Sequence, residues 1–328
     1  MKAITYDRFG PAAEVLQLSD LPTPTPAAGE VLVRIERSGV NPSDIRARAG
    51  GRPGVTAPPF PVIVPHSDGA GTIEAVGQGV DPARVGQRVW LWNGQWQRAF
   101  GTAAEYIALP EAQAVPLPDA VSVDQGACLG IPGLTAAHTV LGAGPVAGKT
   151  VLVSGGAGSV GRIAVQIAVA SGARVLSTAN PKDHADILAL GAEAVFDYRA
   201  EDLGVQILDH TGGHFVDRIV EVEFGRNVQT NTGIIAPGGR ITAYGSAQDM
   251  TPQLPFYPLM FKAVTIELAL IYLLDDRLRD QAIAHLHNLL SRDALDLRVA
   301  DTLPLSDCAK AHDMIATGTR QGAVLLRV

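Results

Sequence analysis

Three glycines at a fixed spacing are the residues of this chain whose chemistry is easiest to interpret. Gly156, Gly158 and Gly161 form the pattern G-x-G-x-x-G. The apolar run 151–153 before them is typical of a buried strand, and apolar residues recur at helical spacing over 160–168 after them. A glycine turn between such a strand and such a helix holds the pyrophosphate of a dinucleotide. We therefore predict a strand, a turn and a helix that bind a dinucleotide.

Each glycine has an expected physical role in such a turn. Gly156 should allow the tight turn, Gly158 should let the backbone approach a pyrophosphate, and Gly161 should let helix and strand pack closely. The N-terminus of the helix adds free N–H groups and a partial positive charge. The alternative is a glycine-rich turn of an α/β protein that binds no ligand.

The end of the next predicted strand indicates which dinucleotide is bound. NAD-binding sites place an acid there for the ribose 2′-hydroxyl, but residues 177–184 read Ser-Thr-Ala-Asn-Pro-Lys-Asp-His. Lys182 and His184 would offer donors and positive charge to a 2′-phosphate, which favours NADPH over NADH. We expect Asp183 to point to solvent in the first turn of a helix. Lys182 is open to a second interpretation, as a solvated lysine.

Composition and charge exclude several classes of function. The 328 residues are 47% hydrophobic and 18% charged, with a net charge of −7, which predicts a globular protein of about two domains. No basic run stands out, so no nucleic-acid partner is expected. Cys128 and Cys308 are too isolated for a disulfide framework or a cysteine zinc cluster, which suits a cytoplasmic location.

No membrane segment is expected either. The first residues lack the apolar core of a signal peptide. The longest apolar run, 263–274, is about twelve residues and contains Glu267, so it is too short to span a bilayer.

The pattern of elements changes near residue 121. Before it, short strand patterns separated by Gly and Pro predict a barrel-like β domain. These patterns lie at 2–6, 30–36, 71–76 and 88–92. Helices are predicted next, at 121–129 and 135–141. From residue 150 onward, strands alternate with helices as in a doubly wound Rossmann sheet with right-handed crossovers. The six strands are predicted at 151–154, 174–178, 194–197, 217–222, 240–244 and 265–271.

Further helices are predicted at 182–190, 201–210, 277–290 and 306–317, and further strands at 299–303 and 323–328. Composition does not show where the tail packs.

Several short motifs accompany the glycine loop along nearly the whole chain. They are Gly39-Val-Asn-Pro-Ser-Asp44, Asp68-Gly-Ala-Gly71, Val76-Gly-Gln-Gly79, Gly86-Gln-Arg-Val89, Gly101-Thr-Ala-Ala-Glu-Tyr106, Gly130-Ile-Pro-Gly-Leu-Thr-Ala136, Gly238-Gly-Arg-Ile-Thr-Ala-Tyr-Gly245 and Gly322-Ala-Val-Leu-Leu326. With them the chain resembles the zinc-free quinone oxidoreductases of the medium-chain dehydrogenase/reductase superfamily, the zeta-crystallin-like group.

The resemblance implies an α/β architecture. A Rossmann NADP(H)-binding domain would cover 121–272, and a discontinuous, β-rich GroES-like catalytic domain would cover 1–120 and 273–328. The active site would lie in the cleft between them. It also implies a homodimer joined through edge strands of the two Rossmann sheets. The apolar stretch Thr265–Leu274 would form the dimer interface.

The same resemblance implies the cofactor contacts. The pyrophosphate would lie against the glycine loop, the 2′-phosphate at the end of the second strand, and the nicotinamide beyond the last strand. The residues concerned are Gly156, Ala157, Gly158, Ser159, Val160, Gly161, Asn180, Lys182, Tyr198 (by the adenosine), Asn227, Tyr244, Gly245, Ser246, Ala269, Leu270 and Ile271.

The resemblance implies that zinc-dependent relatives place a Cys where this chain has Asn41, a His where it has Ser67, and a Cys near Ile131. These residues do not make the usual three-ligand catalytic site, and the four-cysteine structural lobe is also missing from the sequence, so no metal is expected. His66 lies one place from a ligand position and has no evident partner. We interpret it as a loop histidine that forms a hydrogen bond near the cleft.

The chemistry that this leaves is direct hydride transfer from NADPH to a quinone or an enone. The negative charge that grows on the carbonyl oxygen needs a donor, for which Asn41 is the first candidate and Arg46 the second. Arg46 stands where the family often has Tyr, which leaves substrate preference open. The alternatives are a zinc-free alcohol or enoyl dehydrogenase-reductase of the same superfamily, and a non-catalytic NADPH-binding regulator.

Three tryptophans within 90–96 are unusual in a chain with 5% aromatic residues. They could form a stacking wall for a flat substrate, or a strand with core-facing tryptophans that leads into a loop. We favour the second interpretation for Trp90. Trp96 and Arg98, together with Gln95, lie in the expected loop and are the candidates for substrate contact.

Overall fold

The computed structural model describes residues 1–51, 54–318 and 322–328. It divides the chain into two compact units, which are Met1–Ile131 with Leu297–Val328, and Pro132–Asp296. The strands, in chain order, are β1 (Lys2–Thr5), β2 (Gln17–Asp20), β3 (Glu30–Val40), β4 (Asp68–Val76), β5 (Arg88–Leu91), β6 (Tyr106–Pro110), β7 (Ala114–Pro116), β8 (Thr150–Val153), β9 (Arg174–Ala179), β10 (Ala194–Asp197), β11 (Val216–Glu221), β12 (Ile235–Ala243), β13 (Thr265–Leu268), β14 (Val299–Pro304) and β15 (Ala323–Arg327).

Eleven α-helices lie in the described residues. They are α1 (Ala12–Val15), α2 (Pro42–Arg48), α3 (Val123–Gly126), α4 (Leu134–Leu141), α5 (Ser159–Ala170), α6 (His184–Ala189), α7 (Leu203–His210), α8 (Phe224–Ile234), α9 (Phe256–Phe261), α10 (Asp276–Leu290) and α11 (Cys308–Thr317).

The second unit contains a parallel sheet of six strands in the order β10-β9-β8-β11-β12-β13. This is the order of a doubly wound Rossmann sheet, in which the direction of progression reverses beside the first strand, β8. The last three residues of β8, 151–153, are apolar and buried because helices cover both faces of the sheet. The predicted fold class is confirmed for this unit.

The first unit is built on a seven-stranded sheet in which β3 is the longest strand. β3 pairs with β4, β6 and β15, and all three pairings are antiparallel. The β15 pairing shows that the C-terminal tail returns to the N-terminal domain, with Val324 opposite Val40. The discontinuous, β-rich domain is therefore confirmed.

The boundaries between the two units lie at different residues from the expected domain boundaries. The expected change from the Rossmann domain to the tail was at 272/273, whereas the second unit extends to Asp296. The reason is α10, whose buried residues Ala282 and Leu286 lie on a helix that packs against α4. The amphipathic pattern predicted this helix but not the element that covers its apolar face.

Several elements differ from their predicted bounds; β13, for example, ends at Leu268 rather than at residue 271. The helix expected over 121–129 is the short α3, and a π-helical turn, Leu129–Gly133, connects its end to α4. β12 begins at residue 235 rather than 240, because Pro237-Gly238-Gly239 lies inside the strand as an irregularity in its pairing with β11. Pro and Gly normally indicate a turn, so the pattern placed the strand start too late.

Among the described residues, none of the helices combines the length and the apolar character that crossing a bilayer requires.

Candidate functional site

The glycine turn lies between β8 and α5, as predicted, but its left-handed residue is Gly155 rather than Gly156. Gly155 has φ 72°, a conformation that glycine adopts without strain. The turn is tied to the next strand, since the Gly155 N–H donates to Thr178 Oγ1 at 3.1 Å and the Gly156 N–H donates to the Thr178 carbonyl at 2.9 Å. The turn is therefore rigid before any ligand binds.

Close approach of neighbouring atoms explains Gly156 and Gly161, but not Gly158. A Cβ on Gly156 would lie 2.2 Å from Ser177 Oγ, and a Cβ on Gly161 would lie 2.2 Å from the Gly155 carbonyl oxygen. A Cβ on Gly158 would meet only that same oxygen, at 3.4 Å. Gly158 thus borders open space at the N-terminus of α5, where a pyrophosphate would bind.

The cofactor residues expected from the resemblance all lie at one edge of the parallel sheet. Each group follows the carboxyl end of a different strand, from β8 with the glycine loop to β13 with 269–271. Ligands of open α/β sheets bind at this edge. The full set, in strand order from β8 to β13, is Gly156–Gly161, Asn180 and Lys182, Tyr198, Asn227, Tyr244–Ser246 and Ala269–Ile271.

A hydrogen-bond network joins the two central strands at the point where the strand order reverses. The Asn227 amide donates to Glu221 Oε1 at 3.0 Å and to Ser154 Oγ at 3.3 Å. Glu221 is fully buried and also accepts from Asn231 at 2.7 Å. Burial, together with the nearby Glu221 carboxylate, raises the pKa of Tyr244, so this phenol stays protonated.

At the end of β9, the surroundings of one residue differ from expectation. Asn180 Oδ1 accepts from the Lys182 N–H at 3.2 Å, and the Lys182 side chain is exposed. Asp183 is only 5% exposed, so the expectation that it points to solvent is wrong. The residues begin a 3-10 turn, Pro181–Asp183, whose tighter winding carries Asp183 inward. His184 Nε2 lies 3.3 Å from the Ala179 carbonyl oxygen.

In the first unit, Asn41 belongs to a buried network centred on a carboxylate. Asn41 Nδ2 donates to Asp68 Oδ2 at 2.7 Å, and the Ile131 N–H donates to Asp68 Oδ1 at 2.8 Å. By the resemblance described above, Asn41 stands at, and Ile131 near, a position where zinc-dependent relatives are expected to carry a ligand. The π-helical turn supplies the Ile131 N–H, and a Cβ on Gly130 would lie 2.1 Å from Asp68 Oδ1.

Asp68 is fully buried, and its ionisation depends on these partners. Burial and the nearby Asp44 carboxylate raise the pKa of Asp68 well above its usual range, while the hydrogen bonds from Ile131 and Asn41 lower it. Asp44 Oδ2 in turn accepts from the Asn41 N–H at 2.8 Å. Asn41 is thereby fixed through both its backbone and its side chain at the start of α2.

The other candidate residues have different surroundings. Arg46 lies on α2 with its side chain exposed. Trp90 is fully buried, as expected for a core-facing strand residue. Trp96 lines a cavity of about 380 Å³, whereas the Arg98 guanidinium donates to the carbonyl oxygens of Gly94 and Ala108 and to Gln113. Arg98 thus holds its loop together, and Trp96 is the stronger candidate for substrate contact.

The cavity beside Trp96 is mostly apolar and lies within the first unit. Aromatic side chains form much of its wall, together with small and aliphatic residues. Its lining is Tyr6, Phe9, Ala47, Gly50, Val55, Pro59, Phe60, Ile63, Gln95, Trp96 and Gln97. Its volume falls in the range of small-molecule pockets.

Comparison with known proteins follows the same two parts. Residues 27–119 match the family of alcohol dehydrogenase GroES-like domains, and residues 159–288 match the zinc-binding dehydrogenase family. The quinone oxidoreductase of Sus scrofa is 31% identical over 332 residues, which cover 99% of this chain and 97% of that protein. The chain belongs to the medium-chain dehydrogenase/reductase superfamily.

Within the superfamily, the similarity is to quinone oxidoreductases. The enzyme of Rattus norvegicus is 35% identical over 248 residues, which cover 75% of this chain and 73% of that enzyme. A mycobacterial protein solved in complex with NADPH superposes over 100% of both chains with a TM-score of 0.88 and 27% identity. The chain is an oxidoreductase of the quinone oxidoreductase type.

One group of polar residues in this superfamily member was not found from the sequence. His66 was expected to have no evident partner, but its ring contacts Ser38, Cys308 and His312. His312 is 246 residues away in the chain. The contact forms because α11, which belongs to the first unit, packs against α2 and β3. The spacing of Cys308 and His312 on that helix was the available signal.

Proposed function

We propose that the protein reduces quinones or α,β-unsaturated carbonyl compounds with hydride from NADPH, without a catalytic metal. The observation that carries this proposal is the network around Asp68. At or near two positions where zinc-dependent relatives are expected to carry ligands, an amide and a backbone N–H instead donate to one carboxylate, at 2.7 and 2.8 Å. A side chain held as a donor in this way serves a carbonyl substrate better than it serves a cation.

The second unit fits a dinucleotide. Gly158 borders open space at the start of α5, and the first N–H groups of that helix have no acceptor within the helix. The exposed Lys182 would meet a 2′-phosphate, which supports NADPH over NADH. The buried Asp183 next to it limits this preference, since a carboxylate near a phosphate is unfavourable.

Asn41 would act on the acceptor in the proposed reaction. The reduced nicotinamide, when bound, supplies the hydride. One N–H of the Asn41 amide donates to Asp68, which fixes the plane of the amide, and the other N–H would donate to the substrate carbonyl oxygen as negative charge grows there. Because quinones and enones are already electrophilic, positioning supplies much of the catalysis. Water would supply the final proton.

The apolar cavity in the first unit supports a flat, aromatic acceptor. Phe9, Phe60 and Trp96 offer ring faces and edges on which a quinone can pack. Gln95 adds a polar side chain at the wall, which could orient a carbonyl group.

An acceptor panel with both cofactors tests the function. We expect steady NADPH oxidation with phenanthrenequinone and with an α,β-unsaturated ketone, and slower turnover with NADH. An alcohol with NADP⁺ serves as the control substrate. Tight NADPH binding without reduction of any acceptor would identify a binding protein, and alcohol oxidation in preference to quinone reduction would contradict the metal-free assignment.

We also propose that the protein is a cytoplasmic homodimer joined at the outer edge of the Rossmann sheet. β13 is the last strand of that sheet, and Leu268 and Leu273 near it are 76% and 67% exposed. Exposed apolar residues at a sheet edge mark an interface. The two cysteines are free thiols, in keeping with a reducing compartment.

A further inference from the structure

Three side chains with metal-binding atoms meet in the core of the first unit. His66 Nε2 lies 2.9 Å from His312 Nε2 and 3.8 Å from Cys308 Sγ, and the three ligand atoms all lie within 4.8 Å of one another. His66 and His312 are fully buried, and Cys308 is 1% exposed. The proposed reductase function uses none of these side chains.

The local structure presents the three groups toward one point. Cys308 and His312 are four residues apart on α11, which places them on the same face of the helix. His66 comes from the loop before β4 and has φ 77°, a left-handed conformation that is uncommon for residues other than glycine. The fold therefore maintains a strained backbone where it directs this imidazole at the helix, and such strain often marks a functional position.

The hydrogen bonds around His66 fix its tautomer. The Thr102 hydroxyl donates to the Asp68 carbonyl at 2.6 Å, because a carbonyl only accepts. Ser38 Oγ therefore donates to Thr102 Oγ1 at 2.9 Å and accepts from His66 Nδ1 at 2.9 Å. His66 thus carries its proton on Nδ1 and presents the Nε2 lone pair to His312 and Cys308. Metal-ligating histidines are oriented by the same kind of second hydrogen bond.

Burial lowers the pKa of His66 well below its usual range and the pKa of His312 to about 3. Burial also raises the pKa of the Cys308 thiol, so this group is inert without a cation to stabilise its thiolate. Asp44 and Arg48 lie near Cys308, and their opposite charges offset each other.

We propose that His66, Cys308 and His312 form a structural metal site for a thiophilic ion, Cu⁺ or Zn²⁺. With metal–nitrogen distances near 2.0 Å and a metal–sulfur distance near 2.3 Å, ligand atoms stand about 3.4 Å (N to N) and about 3.6–3.8 Å (N to S) apart. The observed 2.9 and 3.8 Å lie within about 0.5 Å of these separations, and Cys308 and His312, whose ligand atoms lie within 4.8 Å of each other, would close on the ion by a change of side-chain rotamer. Imidazole and thiolate are the ligands that both ions prefer.

Binding would proceed without a redox step. The metal accepts lone pairs from both Nε2 atoms and from Cys308 Sγ, the thiol releases one proton to water, and the His312 proton shifts to Nδ1. Cu⁺ with one thiolate is neutral, which suits a fully buried position with three ligands. The site differs from the superfamily's catalytic zinc position, whose counterparts here are Asn41, Ser67 and Ile131.

Metal titration of the full-length protein tests the site. Protein freed of metal under reducing conditions would be titrated with Zn²⁺ and with Cu⁺ against a chromophoric chelator, and with Co²⁺ as a spectroscopic probe. We expect one ion per chain, a rise in Tm, and a thiolate-to-Co²⁺ charge-transfer band. Cys308→Ser and His312→Gln should bind at least tenfold more weakly, whereas Cys128→Ser, which alters the other buried cysteine, should bind normally.

A further variant guards against loss of folding. His66→Gly removes one ligand and relieves the positive φ, which offsets part of the cost of the buried cavity it leaves, so its Tm is measured first and its charge-transfer band should be lost. Stoichiometric binding of either ion that depends on the three residues supports the site. No stoichiometric binding by the unmodified protein, or binding by His66→Gly and Cys308→Ser as tight as by the unmodified protein, would overturn it. These readouts do not use reductase activity, so failure of the proposed function leaves them interpretable.

Discussion

At the scale of single residues, Asn41 serves both the fold and the proposed reaction. Its amide is one of two donors to Asp68, a carboxylate with no exposed surface. A buried carboxylate that loses a donor retains its desolvation cost, so Asn41 is needed for stability whatever its role in catalysis. A simple alanine variant therefore changes two properties, and the test has to separate them.

We predict that Asn41→Ala lowers kcat by about 10²–10³, the usual effect of removing one oxyanion donor, and leaves the Kd for NADPH unchanged. It should also lower the free energy of unfolding by about 1–3 kcal/mol. Asp68→Asn is the matched control, because it disturbs the same hydrogen bond and keeps the Asn41 amide. Steady-state kinetics and chemical denaturation measure both effects. An unchanged kcat in Asn41→Ala would remove Asn41 from the mechanism.

Lys182 tests the choice of cofactor. We predict that Lys182→Ala raises the Kd for NADPH about tenfold, or about 1.4 kcal/mol, and changes the Kd for NADH little, because NADH lacks the 2′-phosphate. Lys149→Ala is the control, since Lys149 is also exposed but precedes β8 at the opposite edge of the sheet. Fluorescence titration gives both constants. An equal effect on the two cofactors would exclude a contact with the 2′-phosphate.

Residue types predicted the glycine turn and its place between a strand and a helix, but not its conformation. The glycine motif gave the position of the turn, while the left-handed φ falls on Gly155, just outside the motif. Asp183 was expected to be exposed, and a 3-10 turn buries it. Such details depend on dihedral angles that several residues can adopt, so spacing alone does not determine them.

At the scale of elements, the glycine motif combines two requirements, close packing of α5 on the turn and room for a cofactor, and these fall on different glycines. Gly161 is needed by the protein itself, because a Cβ there would lie 2.2 Å from a backbone oxygen. The protein itself leaves room for a Cβ on Gly158, which would meet its nearest protein atom at 3.4 Å, so a need for glycine there would come from the proposed cofactor. The two positions lie one turn apart on the same element, so they form a natural pair for mutation.

We predict that alanine changes stability at one of these positions and NADPH binding at the other. Gly161→Ala should lower the free energy of unfolding by about 1–3 kcal/mol, because α5 has to shift away from the turn. Gly158→Ala should leave that free energy nearly unchanged and raise the Kd for NADPH at least tenfold, because the added methyl group would meet the pyrophosphate. Thermal denaturation and calorimetric titration measure the two quantities. Unchanged NADPH binding in Gly158→Ala would argue against a pyrophosphate at this turn.

Strands and helices were predicted well where the hydrophobic period was clear. The strand at 194–197 has the predicted bounds, and α10 differs by one residue at its start. Prediction failed where backbone irregularity replaced a regular period, as in the π-helical turn Leu129–Gly133. That turn supplies the N–H of Ile131 to Asp68, so the irregular segment is the one with a role in the candidate site.

At the scale of the whole molecule, the sequence pattern does not predict which distant elements pack together. β15 pairs with β3 although nearly the whole chain lies between them, and α11 brings Cys308 and His312 to His66. Periodicity shows that a face is apolar but does not identify its partner. The resemblance to a known superfamily, rather than the pattern, predicted the return of the tail.

The exposed apolar residues near β13 raise the same question of a missing partner, and the proposed dimer answers it. In a twofold interface each residue occurs twice, so burial of one leucine from each subunit would contribute about 3–6 kcal/mol in total to the free energy of association. We predict that the native protein is a dimer at micromolar concentration and that Leu268→Glu shifts it to monomer. Val205→Glu, an equivalent change at an exposed residue of α7, should remain dimeric. Light scattering coupled to size exclusion measures the mass. A monomeric native protein, or equal dissociation of both variants, would contradict an interface at this edge.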